Sequence, residues 1–221
     1  MPNKINFTTK YTFNKIDSPS KAYILGFILA DSSIDNKNNV EISVALNDKE
    51  VVDYISNVIG SNVNVSNKMN KKKRIFPKAR TVKRIKDITK FTGGYKKTER
   101  HYPRIKKELE PYLLLGFFDG DGCISYGYRK DRKRLWHKIS FTSSYSLLQG
   151  VQQYLFKLGI TTKLKPKSKS NCYVLEFANK KDILKFLDYI YMDNFVVLRR
   201  KYLKNCALRL ELEEIGETTR K

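Results

Sequence analysis

Histidine and tryptophan are nearly absent from this sequence, with two and one in 221 residues. Cysteine is scarce as well. Cys123, Cys172 and Cys206 stand alone with no C-x-x-C pair. With so few thiols and imidazoles, a structural zinc site is not expected. The odd count and wide spacing fit a reducing compartment, with the cysteines as small core residues. No apolar run approaches the ~20 residues of a bilayer span, so no membrane partner is expected. The first residues hold no apolar signal core, which argues against secretion. They are also acid-free as far as Asp17. The expected location is therefore intracellular, in a bacterial or phage cytoplasm or in an organelle.

Acidic residues are in short supply too. There are 22 Asp+Glu against 44 Lys+Arg, a net charge of +22. Such a surface attracts polyanions, chiefly nucleic acid and less often a membrane face. A ribosome-associated or generic RNA-binding protein would show the same balance. The charge is concentrated: residues 67–107 hold 17 lysines and arginines against Asp87 and Glu99 alone. Ile75, Phe76, Val82, Ile85, Ile88 and Phe91 are interleaved there, which reads as a folded phosphate-binding face and not a solvated tail. At 41% hydrophobic and 12% aromatic, the chain is globular, with one or two domains.

One apolar stretch occurs twice. Residues 22–33 read AYILGFILADSS and residues 112–123 read YLLLGFFDGDGC. Ser18 and Pro19 supply a helix start before the first copy. After it come a strand over 40–46, a helix capped by Asn47 or Asp48 and ended by Gly60, and a short strand over 62–65. The basic segment reads as strand or loop over 71–82 and a helix over 83–91. The second copy leads into a hairpin over 123–144 with its turn near 130–133. A helix ending at Gly159 follows, then two strands within 163–177, and helices over 179–192 and 198–214. The order repeats as one αββαββα-like unit. The expected fold is α+β: two pseudo-symmetric subdomains at 18–107 and 108–221, after an N-terminal arm at 1–17.

Gly26 and Ala30, like Gly116 and Gly120, lie four apart on one helix face. Lacking side chains there, the two helices can pack backbone against backbone, with Gly26 and Gly116 at the interface. That pairing would bring Asp31 and Asp121 to matching ends near a pseudo-two-fold axis. An aspartate at a helix C-terminus opposes the macrodipole, at a cost of ~0.3–1 kcal/mol, and two carboxylates repel. Divalent cations compensate for both, and Mg²⁺ is commonly held by carboxylates with phosphate and water. Two metals at a phosphodiester can activate water and stabilise the leaving oxygen.

The segments 24–32 (ILGFILADS) and 114–122 (LLGFFDGDG) resemble the signature of the LAGLIDADG homing endonucleases. The second copy is close to the pattern. The first has Leu29 for the inner acid and Ser32 for the closing glycine. The likeness spans roughly 20–205 and is to the single-chain, two-motif branch. It implies a monomeric, site-specific endonuclease that hydrolyses double-stranded DNA at a long target, of the kind that moves introns. Asp31 and Asp121 would bind the metals, assisted by the carbonyls of Ala30 and Gly120. Mg²⁺ is the implied cofactor, with Mn²⁺ as a substitute and Ca²⁺ binding without cleavage. A catalytic basic residue from each half is also implied, here Lys97 and its counterpart Lys201, with Lys96 and Arg200 as alternatives. Glu41 occupies a place for a polar supporting group.

The likeness further implies that each antiparallel sheet forms half of a DNA-binding saddle in the major groove, where base pairs are distinguishable. Candidate DNA contacts are Arg74, Lys78 and Arg80 in the first half. In the second they are Tyr126, Tyr128, Arg129, Arg134, Trp136, Lys138, Lys163, Lys165, Lys167 and Lys169. Many would meet phosphate and position the protein without reading bases. Two rival functions share the scaffold: a maturase that binds intron RNA, and a regulator that binds DNA without cutting it.

Overall fold

In the computed structural model, which describes residues 13–69, 75–131, 134–167, 172–193 and 195–218, one order of elements is followed twice. The first half runs α1 (Pro19–Asp31), β1 (Ser32–Ile34), β2 (Asn39–Ala45), α2 (Lys49–Ile59), β3 (Val63–Met69), β4 (Ile75–Arg84) and α3 (Thr89–Thr92). The second runs α4 (Glu110–Asp121), β5 (Gly122–Arg129), β6 (Arg134–Ser143), α5 (Tyr145–Lys157), β7 (Lys163–Pro166), β8 (Tyr173–Phe177), α6 (Lys180–Ile190) and α7 (Arg199–Thr218). Each half builds one four-stranded antiparallel sheet. The strand orders, β1-β2-β4-β3 and β5-β6-β8-β7, are the same topology.

Local chemistry accounts for most boundaries. Ser18 is extended, and its side chain accepts from the Lys21 amide at 3.4 Å. Pro19 takes the first helical position, where a missing N–H is no loss. Residues Lys21 to Ala30 of α1 are all buried, as befits a helix that is apolar on every side. Gly60 closes α2 in the left-handed conformation, at φ 65°. Asp48 precedes α2, but its side chain makes no cap bond. It accepts instead from Arg200 at the start of α7, at 2.5 and 2.8 Å.

Three expectations are corrected. The helix expected over 83–91 forms only at its end: Lys83 and Arg84 extend the pairing of β4 onto Val40 and Asn39 of β2, and a turn follows before Thr89. Only Thr89–Thr92 is helical, stopped by Gly93 at φ 84°. The short strand expected at 62–65 is longer: β3 runs on to Met69 along β4. β1 was not expected at all, since three residues are too few to show alternation.

The core joins both halves. Val40, Ile42 and Val44 bury one face of β2; Ile139, Phe141, Leu175 and Phe177 do the same for the second sheet. Phe13 and Ile16, at 3% and 8% exposed, belong to this core, so the end of the expected arm is packed. Crossing contacts tie the halves together. Phe195 lies edge-on to Tyr54, and Tyr102 lies edge-on to Phe117. Such aromatic pairs contribute ~0.5–1.5 kcal/mol each beyond their burial. Among the described residues, no helix is long and apolar enough to cross a membrane.

Candidate active site and nucleic-acid interface

The site begins with two glycines. A Cβ on Gly26 would lie 2.0 Å from the Leu113 carbonyl oxygen, and one on Gly116 would lie 1.9 Å from that of Tyr23. The contacts are reciprocal: Gly26 is to Tyr23 what Gly116 is to Leu113. Helices α1 and α4 therefore meet backbone to backbone about a local two-fold axis. Farther along, a Cβ on Gly120 would come within 2.4 Å of the Ala30 Cβ and 3.4 Å of the Asp31 Cβ. The close approach carries the two aspartates to the same end of the helix pair.

Their surroundings differ. Asp121 is 13% exposed, and Lys97 Nζ lies 3.0 Å from its Oδ1 and 2.9 Å from its Oδ2. Burial pushes the Asp121 carboxyl above the usual range, Lys97 pulls it back, and the charge of Asp31 pushes it up again. Asp31 is open to solvent. Desolvation by the walls of the cleft raises its carboxyl also, opposed by Lys97, Lys78 and Lys201. Beside it lies a cavity of about 260 Å³, whose lining includes Asp31, Lys78, Asp119, Gly120 and Arg200.

Lys201 does not mirror Lys97. Its ammonium is buried and donates to the carbonyls of Phe118, Asp119 and Gly122 at the end of α4, with the Phe118 ring 4.9 Å away. Burial lowers the Lys201 ammonium and the charge of Asp119 raises it again, leaving it at about 8. The residue that mirrors it is Arg100, whose guanidinium donates to the carbonyls of Ile28, Leu29 and Ser32. The expected pairing of Lys97 with Lys201 is thus corrected to Arg100 with Lys201. Sequence offset misled it: Arg100 follows Asp31 at a shorter spacing than Lys201 follows Asp121, and a chain full of lysines offers many partners.

Asp119, the inner acid of the second motif, is buried and accepts from the Tyr23 hydroxyl at 2.8 Å across the helix pair. Burial pushes its carboxyl well up. Tyr23 went unread in the sequence, where it looked like one more apolar position of the motif.

The donors fit a hard divalent cation. Two carboxylates converge, and Asp121 Oδ2 is buried with the Lys97 ammonium 2.9 Å away. The Arg100 and Lys201 contacts take carbonyls on either side of Ala30 and Gly120 but not those two. Among the described residues, no cluster of three or more His, Cys, Asp or Glu could hold a metal unaided. Further ligands would have to come from phosphate and water, as Mg²⁺ commonly accepts.

The open sheet faces follow from the pleat. In the first sheet Ala79 and Thr81 point inward, so Lys78 and Arg80 project outward. Arg80 meets Glu41 there at 3.4 Å. In the second sheet Trp136 and Lys138 alternate with the buried Ile139 and Phe141 and share the outer face with Lys163, Lys165 and Glu176. Glu176 holds Lys138 at 3.1 Å and Lys165 at 2.5 Å. Tyr126 and Tyr128 are corrected: they share the side of β5 that buries Ile124. Tyr126 packs against the core, while Tyr128, 60% exposed, lies beyond its edge. Arg129 and Lys167 are exposed at strand ends. Arg134 begins β6. Arg74 and Lys169 lie outside the described residues.

Residues 108–191 match the LAGLIDADG-like domain model. The second half of the chain is thus similar to a LAGLIDADG-like domain, and the first half repeats its motif and its strand order. A relative in Debaryomyces hansenii, described as a probable intron-encoded endonuclease aI2, is 25% identical over 205 residues. That match takes in 80% of this chain, and the chain spans about 30% of the relative's length. Among solved structures, the meganuclease I-SmaMI bound to uncleaveable DNA superposes with a TM-score of 0.63 at 12% identity, over 92% of each chain. I-AabMI bound to uncleaved DNA gives 0.63 at 13% identity, over 90% of this chain and 92% of that one. I-SmaMI with uncleaved DNA and calcium ions gives 0.62 at 11% identity, over 90% and 93%. The LAGLIDADG fold thus extends through both halves.

Proposed function

We propose that the protein is a site-specific endonuclease that hydrolyses double-stranded DNA with divalent cations. The observation that carries this reading is the convergence of Asp31 and Asp121 at the glycine-packed ends of α1 and α4, between two sheets with basic outer faces. The match of residues 108–191 to the LAGLIDADG-like domain and the DNA-bound meganucleases of the same fold support it.

Each part of the site has work in this reading. Asp31 and Asp121, with the carbonyls of Ala30 and Gly120, would hold Mg²⁺, for which Mn²⁺ would substitute. Ca²⁺ would bind without supporting cleavage. Bound metal supplies an acidified water and charge stabilisation at the leaving oxygen. Lys97 favours the charged form of Asp121 against its burial and places a positive charge at the cleft. Lys78 and Arg80 on one sheet, and Arg129, Arg134, Trp136, Lys138, Lys163, Lys165 and Lys167 on the other, would meet DNA. Phosphate contacts there give affinity and register, while base edges in the major groove give specificity. One chain supplies both aspartates, so a monomer suffices.

The test is incubation of the purified protein with a genomic or randomised DNA library and Mg²⁺, followed by sequencing of the new ends. Clustered ends at one long target are expected, with their loss in Asp31→Asn and Asp121→Asn. Absence of specific ends, or their survival in the double variant, would overturn the proposal. Stimulated splicing of an intron RNA without DNA cleavage would replace it with the maturase reading.

A further inference from the structure

Two buried cations have no place in the cleavage reading so far. Arg100 is 1% exposed and Lys201 4%. Superposing the motifs sets Asp31 on Asp121, and therefore Ile28, Leu29 and Ser32 on Phe118, Asp119 and Gly122. Arg100 donates to the carbonyl oxygens of Ile28 at 2.9 Å, Leu29 at 3.5 Å and Ser32 at 3.2 Å. It also reaches the Ser32 hydroxyl and the Tyr95 carbonyl. Lys201 donates to the carbonyls of Phe118, of Asp119 at 2.8 Å and of Gly122 at 2.6 Å. Two chemically different side chains thus take the same three carbonyls in the two halves.

The last carbonyls of a helix lack intrahelical donors and carry the negative end of its dipole. The motif makes this worse by placing an aspartate there. A buried cation on those carbonyls answers both problems. It also ties the last turn to the first residue of the following strand, Ser32 or Gly122, and so fixes the direction in which the aspartate leaves the helix.

The choice of cation follows its neighbours. Lys201 has the carboxylate of Asp119 on the same turn, and its three N–H groups match three carbonyls. The first half has Leu29 in that place. A cation there must hold its charge without that carboxylate, which guanidinium does and a buried ammonium does poorly.

We propose that Arg100 and Lys201 are paired positioning residues, each pinning the end of one motif helix so that its aspartate and the preceding carbonyl face the cleft. Neither touches DNA or the reacting atoms. The proposal rests on the reading of the cleft as the cleavage centre, and its test has one arm independent of that reading.

The experiment uses the full chain and four variants: Arg100→Gln, Arg100→Lys, Lys201→Gln and Lys201→Arg. Amide hydrogen exchange is followed at 29–34 and 119–124. Single-turnover cleavage of the target and binding of uncut duplex in Ca²⁺ are measured beside it. Each glutamine variant should lose protection at its own motif end by about 10-fold or more, with the other end unchanged. Cleavage should fall about 10- to 100-fold, as for residues that orient ligands, with duplex binding nearly unaltered. Lys201→Arg should restore both protection and cleavage; Arg100→Lys should restore them only in part. Lost cleavage with unchanged exchange would place the residue at the reacting atoms and overturn the proposal. Lost protection throughout the protein would reduce it to a core residue and do the same. If the wild-type chain cuts no DNA, the cleft reading fails, while the exchange arm still decides whether the two cations pin the helix ends.

Discussion

Lys97 crosses from the first half of the chain to Asp121 of the second, its ammonium 3.0 and 2.9 Å from the two carboxylate oxygens. Among the described residues, Asp31 has no such ion pair. The two aspartates are equivalent in the fold and unequal in their electrostatics. Lys97→Met should therefore lower single-turnover cleavage about 10- to 100-fold and leave binding of uncut duplex in Ca²⁺ nearly unchanged. Wild-type cleavage in this variant would show the pair to be dispensable.

The helix pair depends on its glycines. A Cβ at Gly26 or Gly116 would overlap backbone oxygen, at 2.0 and 1.9 Å, and backbone cannot step aside as a side chain can. Gly116→Leu and Gly26→Ala should each cost about 3 kcal/mol or more, lowering Tm by about 6 °C or more. Gly120→Ala meets a methyl group at 2.4 Å and should cost less. Asp31→Asn removes no packing and should hold Tm within about 2 °C. Thermal denaturation by circular dichroism checks the whole series.

Tyr23 is the hydroxyl donor to a buried carboxylate. Tyr23→Phe leaves Asp119 Oδ2 without that donor. The expected loss is about 1–3 kcal/mol, the cost of an unsatisfied buried polar group. Equilibrium urea unfolding would measure it. No change in the midpoint would mean that water replaces the hydroxyl.

Glu176 gives the pH dependence a sign. Lys165 first, then Lys138, hold its carboxyl below the ordinary value of 4.5. Its contribution to stability is therefore complete above that value and is lost as pH falls through the lower folded value. Glu176→Gln should flatten this part of the acid limb in a series of Tm measurements. On the basic outer face the same change should strengthen binding to unrelated DNA, which salt titration would detect.

Much of the fold could be read from the chain because its signals are local. The twin motifs, the helix start at Ser18 and Pro19, the stop at Gly60 and the alternation of β2 and β6 all lie within short windows. The failures came where pairing or burial overrode the window. Lys83 and Arg84 look helical but are held by β2. Tyr126 looks like a reader of DNA, yet the pleat sets it on the side of Ile124. Arg100 was one basic residue among 17 in its segment, and nothing local marks a guanidinium that turns inward.

The sequence by itself determined that two similar halves exist, that each offers an apolar helix with a bare face and a terminal aspartate, and that the whole is strongly basic. Those properties are written in residue type and spacing. Only the tertiary structure decided which cation meets which carbonyl and which carboxylate. Lys97 went to Asp121, while Arg100 and Lys201 went to the ends of α1 and α4. The physical reason is reach: a long basic side chain can satisfy any acceptor within several ångströms, so its partner is fixed by the packing of distant segments and not by its neighbours in the chain.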